Sequence, residues 1–170
     1  MRVGLGYDSH RFDSARELVL GGVPIPGHPG LAGHSDGDAV LHAVTDALLG
    51  AAGLGSIGEH FPDSDPDLAG ADSATFLAHA VYLVEAENYQ VVNADVTVIT
   101  ETPRILEHAP AMRERLAELL HVSPGAVCAK GKSNEGMGFV GRGEGLAVMA
   151  VTLIDRIGDT DALHASLRTG

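Results

Sequence analysis

From residue 36 to about residue 54 the chain sets Val40, Val44, Ala47 and Leu48 at helical spacing, between segments that read as β-strands. A helix held between strands must lay its apolar stripe on a sheet, which restricts the chain to a layered α/β or α+β fold. Ser35, followed three residues later by Asp38, has the pattern of a capping box and marks the expected helix start. Residues 2–7 and 18–25 read as short strands around Gly21 and Gly22, with a loop rich in Pro and Gly at 26–30. Residues 55–70 are expected to form a loop, 72–88 a second helix, 91–100 a strand and 109–121 a third helix after a linker at 103–110. Two more strands are expected over 126–132 and 145–157, separated by a glycine-dense turn. The expected fold class is α/β (α+β): a single domain over 1–157, its mixed sheet carrying helices packed on one face, followed by a loose polar tail over 158–170.

A hydrophobic fraction of 45% with only 4% aromatic residues and no Trp implies a core made mainly of Ala, Val and Leu. The formal net charge of -12 argues against nucleic acid as a partner, since that binding is dominated by Lys and Arg. No apolar run reaches the roughly 18 residues of a membrane span. The first residues, MRVGLGYDSHRF, have neither the charged start nor the apolar stretch of a secretion signal, so a cytoplasmic protein without membrane contact is expected. Cys128 has the apolar neighbours Val127 and Ala129 and is expected to be a buried, inert thiol.

The strongest chemical signal is Asp8-Ser9-His10 at the end of the first strand, because residues two apart on a strand project to one side and can share a metal ion. His42, on the first helix, is the third candidate ligand, and Asp38 and Asp46 lie one turn on either side to accept its second ring N–H. Two imidazoles and a carboxylate suit zinc and leave a fourth position open to a substrate oxygen. By spacing alone, a helix histidine satisfied by Asp46 explains His42 equally well. His34 and Ser35, at the expected helix N-terminus, either cap the helix or favour an anion. Only two lysines occur, Lys130 and Lys132, and an extended chain points both to one face. They are either solvated charges on a strand edge or one side of a phosphate-binding turn that continues through Ser133, Asn134 and Glu135. Glu135 beside phosphates calls for a magnesium ion between them, and otherwise is a solvated turn carboxylate. Arg142 and Glu144, in a run of alternating glycines, need do no more than pair with each other.

Four blocks carry a family resemblance: GYDSHRF at 6–12, GHSDGDAVLHAVTDALLGA at 33–51, IGEHFPDSDP at 57–66 and GFVGRGEGLA at 138–147. Taken in order, they closely resemble the 2-C-methyl-D-erythritol 2,4-cyclodiphosphate synthases of the non-mevalonate isoprenoid pathway. The resemblance implies a homotrimer with active sites between subunits, zinc on Asp8, His10 and His42, and magnesium or manganese on Glu135. It implies cyclisation of 4-diphosphocytidyl-2-C-methyl-D-erythritol 2-phosphate with release of CMP, zinc meeting the β-phosphate and the second metal bridging the α- and β-phosphates. His34 and Ser133 match the positions that stabilise the transition state. Asp8, Ser9 and His10 match substrate-contact positions as well as the zinc site. The methylerythritol portion would meet Ser35, Ser56, Ile57, Gly58, Phe61, Pro62, Asp63, Ser64 and Asp65. The cytidine portion would be held by the neighbouring subunit through Thr100, Glu101, Thr102, Pro103, Arg104, Ile105 and Leu106 and by the segment around Lys132; Ser133, Asn134 and Glu135 match further substrate contacts. Phe139 and Arg142 match further substrate contacts, and a cavity on the trimer axis would accept an isoprenoid diphosphate.

The chain departs from the family pattern at Ser56, where Asp is common, and at Glu101, Thr102 and Arg104, where the family usually has Gln, a variable residue and Lys. Two other functions fit the same residues. A metal-dependent phosphohydrolase would need a general base, for which Glu135 and Asp63 are available, and a non-catalytic trimer would use the metal only to stabilise its fold.

Overall fold

The computed structural model describes residues 1–62, 64–68 and 70–158. Its strands are β1 (Arg2–Leu20), β2 (Val23–Leu31), β3 (Tyr89–Ile99), β4 (Val127–Lys132) and β5 (Gly145–Arg156). They form one sheet in the order β2-β1-β5-β3-β4. β3 and β4 are parallel and the other pairs antiparallel, which is the mixed sheet the sequence implies. The helices are α1 (Ala39–Ala52), α2 (Ile57–His60), α3 (Ser73–Ala86), α4 (Ile105–Leu119) and α5 (Gly138–Gly141). Among the described residues no helix is long and apolar enough to cross a membrane.

The central contact is between β1 and α1. Alternation along β1 buries Gly4 and Gly6 while Val3, Leu5 and Tyr7 stay exposed on the opposite face. A Cβ at Gly4 or Gly6 would lie 1.9 Å from the carbonyl oxygen of Ala47 or Ala43, so only glycine admits the helix this close. Ala43, Ala47 and Ala51, four residues apart, are the small side of α1 that settles there. Val40, Leu41, Val44, Leu48 and Leu49 are buried as well, so α1 is enclosed nearly all round.

The N-cap of α1 is Asp38, not Ser35, and the helix begins at Ala39. The fully buried Asp38 carboxylate accepts the N–H groups of Val40 at 3.0 Å and Leu41 at 3.1 Å, and also those of Gly21 at 2.9 Å and Gly22 at 2.7 Å in the β1–β2 turn. Burial pushes this carboxyl up to about 6 against the pull of those N–H groups.

Other boundaries move too. β1 and β2 run straight through the segments expected to break them, pairing Phe12 with Leu31 and Glu17 with Pro29 across a register shift. Pro24, Pro26 and Pro29 are accommodated because β2 is the edge strand, where missing N–H donors cost no ladder bond. α4 starts inside the expected linker and contains Pro110, which removes one hydrogen bond near its N-terminal end. The loop after α1 holds α2 and a 3-10 turn at Pro66–Leu68. Cys128 is exposed rather than buried, because alternation turns its neighbours Val127 and Ala129 inward and Cys128 out. The polar tail from residue 159 onward lies outside the described residues, as does Asp63.

Candidate active site

The alternation that places Gly4 and Gly6 under α1 carries Asp8 and His10 to the same face, opposite His42 on the first turn of the helix. Asp8 Oδ2 lies 2.9 Å from His10 Nε2 and 3.1 Å from His42 Nδ1, and the two ring nitrogens are 3.3 Å apart. Around a tetrahedral zinc with bonds of about 2.0–2.1 Å, ligand atoms stand about 3.3 Å from one another, so the three side chains fit a single ion of that size. They are the one group of this kind among the described residues. Burial works to raise the Asp8 carboxyl, but hydrogen bonds from His10 and His42 and their charge outweigh it and hold Asp8 below the usual carboxylate range. The same hydrogen bond raises His10 above 6.5 against the cost of burial.

The outer ring nitrogens are held from behind. His10 Nδ1 donates to the Ala32 carbonyl at 2.6 Å, which leaves Nε2 for the cluster. His42 Nε2 meets Ser73 Oγ at 2.8 Å and Ser35 Oγ at 3.1 Å. Neither Asp38 nor Asp46 takes the role expected for it: Asp38 caps α1, and Asp46 accepts the Ile57 N–H at 3.1 Å. Ser73 carries no sequence signal of its own. It sits 31 positions from His42 and arrives only because α3 docks its first residue there.

A cavity of about 300 Å³ opens above the cluster, lined by Asp8, His10, His34, Ser35, His42, Ile57, Gly58 and Phe61 among others. Phe76, not foreseen from the sequence, completes its apolar wall, stacking on Phe61 with ring centroids 4.4 Å apart. His34 Nε2 donates to the Asp65 carbonyl at 2.9 Å and so pins the far side of the 56–65 loop. Ser56 does not face this cavity; its N–H and hydroxyl both donate to Glu59 at 2.9 Å.

The remaining predicted residues gather elsewhere. Thr100, Glu101, Pro103, Arg104, Ile105, Leu106, Lys132 and Ser133 line a second cavity of about 480 Å³ beside β4. Ser133 donates its hydroxyl to Glu135 at 2.6 Å, and Glu101 accepts the N–H groups of Asn134 at 3.0 Å and Gly136 at 3.2 Å, bracing the turn in which Glu135 has φ 51. Lys130 pairs with Asp95, leaving Lys132 as the lysine turned to this cavity without that partner. Ser9, Pro62, Ser64, Phe139 and Arg142 line neither cavity, and Arg142 pairs with Glu144 at 2.6 Å. One chain thus divides many of the predicted residues between two cavities that share no lining residue.

The family model described as YgbB family matches residues 1–155. A 2-C-methyl-D-erythritol 2,4-cyclodiphosphate synthase of Symbiobacterium thermophilum is 56% identical over 154 residues, 91% of this chain and 98% of that protein. One of Gemmatimonas aurantiaca is 54% identical over 160 residues, covering 94% of this chain and 96% of the relative. A solved 2C-methyl-D-erythritol-2,4-cyclodiphosphate synthase in a CDP-bound form superimposes with a TM-score of 0.83 at 39% identity, over 91% of this chain and all of the other. On a model matched along nearly its whole length and relatives more than half identical to it, the chain belongs to the YgbB family of 2-C-methyl-D-erythritol 2,4-cyclodiphosphate synthases.

Proposed function

We propose that this chain cyclises 4-diphosphocytidyl-2-C-methyl-D-erythritol 2-phosphate to 2-C-methyl-D-erythritol 2,4-cyclodiphosphate with release of CMP. The observation that carries the reading is the convergence of Asp8, His10 and His42 at the floor of a cavity, with the donor set and spacing of an open zinc site. An oxygen of the 2-phosphate attacks the β-phosphorus. The bond from that phosphorus to the oxygen bridging the α-phosphate breaks, and CMP departs with that oxygen, so neither water nor a protein nucleophile is consumed. Zinc on Asp8, His10 and His42, with magnesium or manganese at Glu135, would neutralise the charge on the phosphoryl oxygens.

The chain's own residues bind and orient. Ile57, Gly58, Phe61 and Phe76 give the carbon skeleton an apolar wall that holds attacker and target together and keeps water away. His34, which lines the first cavity, and Ser133, which lines the second, are assigned to the transferring phosphoryl oxygens. Lys132 and the 100–106 segment are assigned to the cytidine monophosphate end. The CDP-bound form of the solved relative supports a cytidine-linked diphosphate as the substrate class.

A homotrimer is part of this reading, because each cavity of one chain is lined by only part of the required residues. Support comes from the outer sheet face, where Val3, Leu5 and Tyr7 are each more than half exposed beside Met149 and Val151. A cytoplasmic location goes with the reading.

Phosphorus NMR of the purified protein with the substrate, with zinc and magnesium and again after chelation, tests the whole reading. Metal-dependent CMP together with a cyclic diphosphate is the expected result. CMP accompanied only by linear phosphates would make the protein a hydrolase, and absence of turnover by a metal-loaded trimer would make it a binding protein.

A further inference from the structure

We propose that Ser73 and Asp36 are positioning residues that hold a proton on Nε2 of His42 and so leave its Nδ1 to the metal. The inference rests on the metal reading of the Asp8, His10 and His42 cluster.

Asp36 Oδ2 accepts the backbone N–H of Ser73 at 3.1 Å, Oδ1 accepts that of Asp38 at 3.0 Å, and Oδ1 also accepts the Ser73 hydroxyl. A carboxylate only accepts, so the single hydroxyl proton of Ser73 is committed to Asp36. Ser73 Oγ therefore offers only a lone pair to His42 Nε2, 2.8 Å away. Two lone pairs at that distance repel, so Nε2 carries the imidazole proton and donates it to Ser73. Nε2 therefore keeps its proton whether or not Nδ1, which faces Asp8 Oδ2 at 3.1 Å, carries a second one, and the proton that a metal displaces is the one on Nδ1.

Ser35 alone could not impose this direction, because its hydroxyl at 3.1 Å from Nε2 is free to donate or to accept. The carboxylate at the end of the chain supplies the polarity. Ser73 is fully buried, and further bonds sew its segment to residues 34–36: Gly70 N–H to the His34 carbonyl at 2.8 Å and Asp36 N–H to the Ala71 carbonyl at 3.0 Å. His10 obtains the same result from the Ala32 carbonyl, which also can only accept.

Two measurements on the full-length protein decide the matter: histidine nitrogen-15 NMR of the metal-free form, and zinc affinity by competition with a chromogenic chelator. We expect His42 in the unaltered protein to be protonated at Nε2. Ser73→Ala should lose that preference and bind zinc about 10–100-fold more weakly, the usual cost of removing an outer partner of a ligand. Asp36→Ala should act in the same direction by removing the acceptor of the Ser73 hydroxyl and freeing that proton to turn toward Nε2, and it serves as the second variant if Ser73→Ala does not fold. The double variant should be no weaker than the worse single one, since both break one chain. His42 bare at Nε2 in the unaltered protein, zinc affinity unchanged by Ser73→Ala or Asp36→Ala, or fully multiplicative losses would each overturn the proposal. Failure of the unaltered protein to take up zinc would instead remove the metal reading, while the tautomer measurement, made without metal, would still decide the relay.

Discussion

The rings of Phe61 and Phe76 stack at 4.4 Å with planes 24° apart, joining the loop beyond α2 to the body of α3. Phe76 in turn lies 6.3 Å from the His42 ring, so an aromatic column runs from the loop down to the candidate metal ligands. Phe61 is half-buried and Phe76 is 6% exposed, so the two should respond differently to truncation. Phe76→Ala should lower the unfolding free energy by about 3–5 kcal/mol in urea titration. Phe61→Ala should lower it by less than about 2 kcal/mol while reducing kcat/KM about tenfold, through lost stacking and a loosened wall. Equal destabilisation by both would contradict this division.

His42→Ala should abolish zinc uptake and cut turnover by more than the roughly 100-fold upper cost of losing an outer partner, with the assembly state of the unaltered protein retained. Metal analysis and light scattering on one sample check both halves. A metal-replete, active variant would take His42 out of the site.

Protons and metal should compete at His10. Its raised value means that, below the folded pKa, zinc must displace a proton, and apparent affinity should fall about tenfold per pH unit there and level off above. The metal-free protein should behave in the opposite sense. The His10 contribution to its stability is full below 6.5 and lost as pH rises through the raised value; the Asp8 contribution is present above 3.8 and lost only as pH falls through its lowered value. The gain in Tm on adding zinc should therefore grow as pH rises from 6.5 through the raised His10 value and level off above it. A gain that shrinks with rising pH would rule this coupling out.

Asp38→Ala should destabilise more than Asp38→Asn. The amide keeps an oxygen for the N–H groups of Gly21, Val40 and Leu41 that Oδ1 accepts, but sets an NH2 against the Gly22 N–H, at a cost of about 1–3 kcal/mol. Alanine strands all four donors. Chemical denaturation gives the order directly.

Lys132→Ala should raise KM about tenfold and change kcat by less than about threefold, the signature of a contact made equally in ground and transition states. A loss confined to kcat would move Lys132 from the nucleotide end to the reacting phosphates.

The readable parts of this molecule are those governed by local period. Asp8 and His10 share a face because strands alternate, and α1 is evident because Val40, Val44, Ala47 and Leu48 recur on a helix. The length of β1 was hidden because the stretch from Asp13 to Glu17 is polar, and its place in the sheet depends on pairing with an edge strand full of prolines. The start of α4 is hidden by Pro110, a helix breaker that here lies beyond the first turn and costs the helix one hydrogen bond. In the site, Asp38 and Asp46 looked suited to His42 by helical spacing, yet tertiary contacts claimed both: the β1–β2 turn took Asp38 and α2 took Asp46. Ser73 could not be found from the sequence, because its partnership with His42 is made by the docking of α3 and leaves no local pattern.

The absence of a Cβ at Gly4 and Gly6 reaches beyond packing. Asp8 and His10 ride on β1 and His42 on α1, so the gap between strand and helix works as a gauge block for the ligand triangle. Any larger residue at those two positions would wedge the elements apart and widen the triangle without touching a ligand. Drift at two apolar, chemically mute positions would then read out as loss of an ion, and the scaffold could not be retuned independently of the chemistry mounted on it.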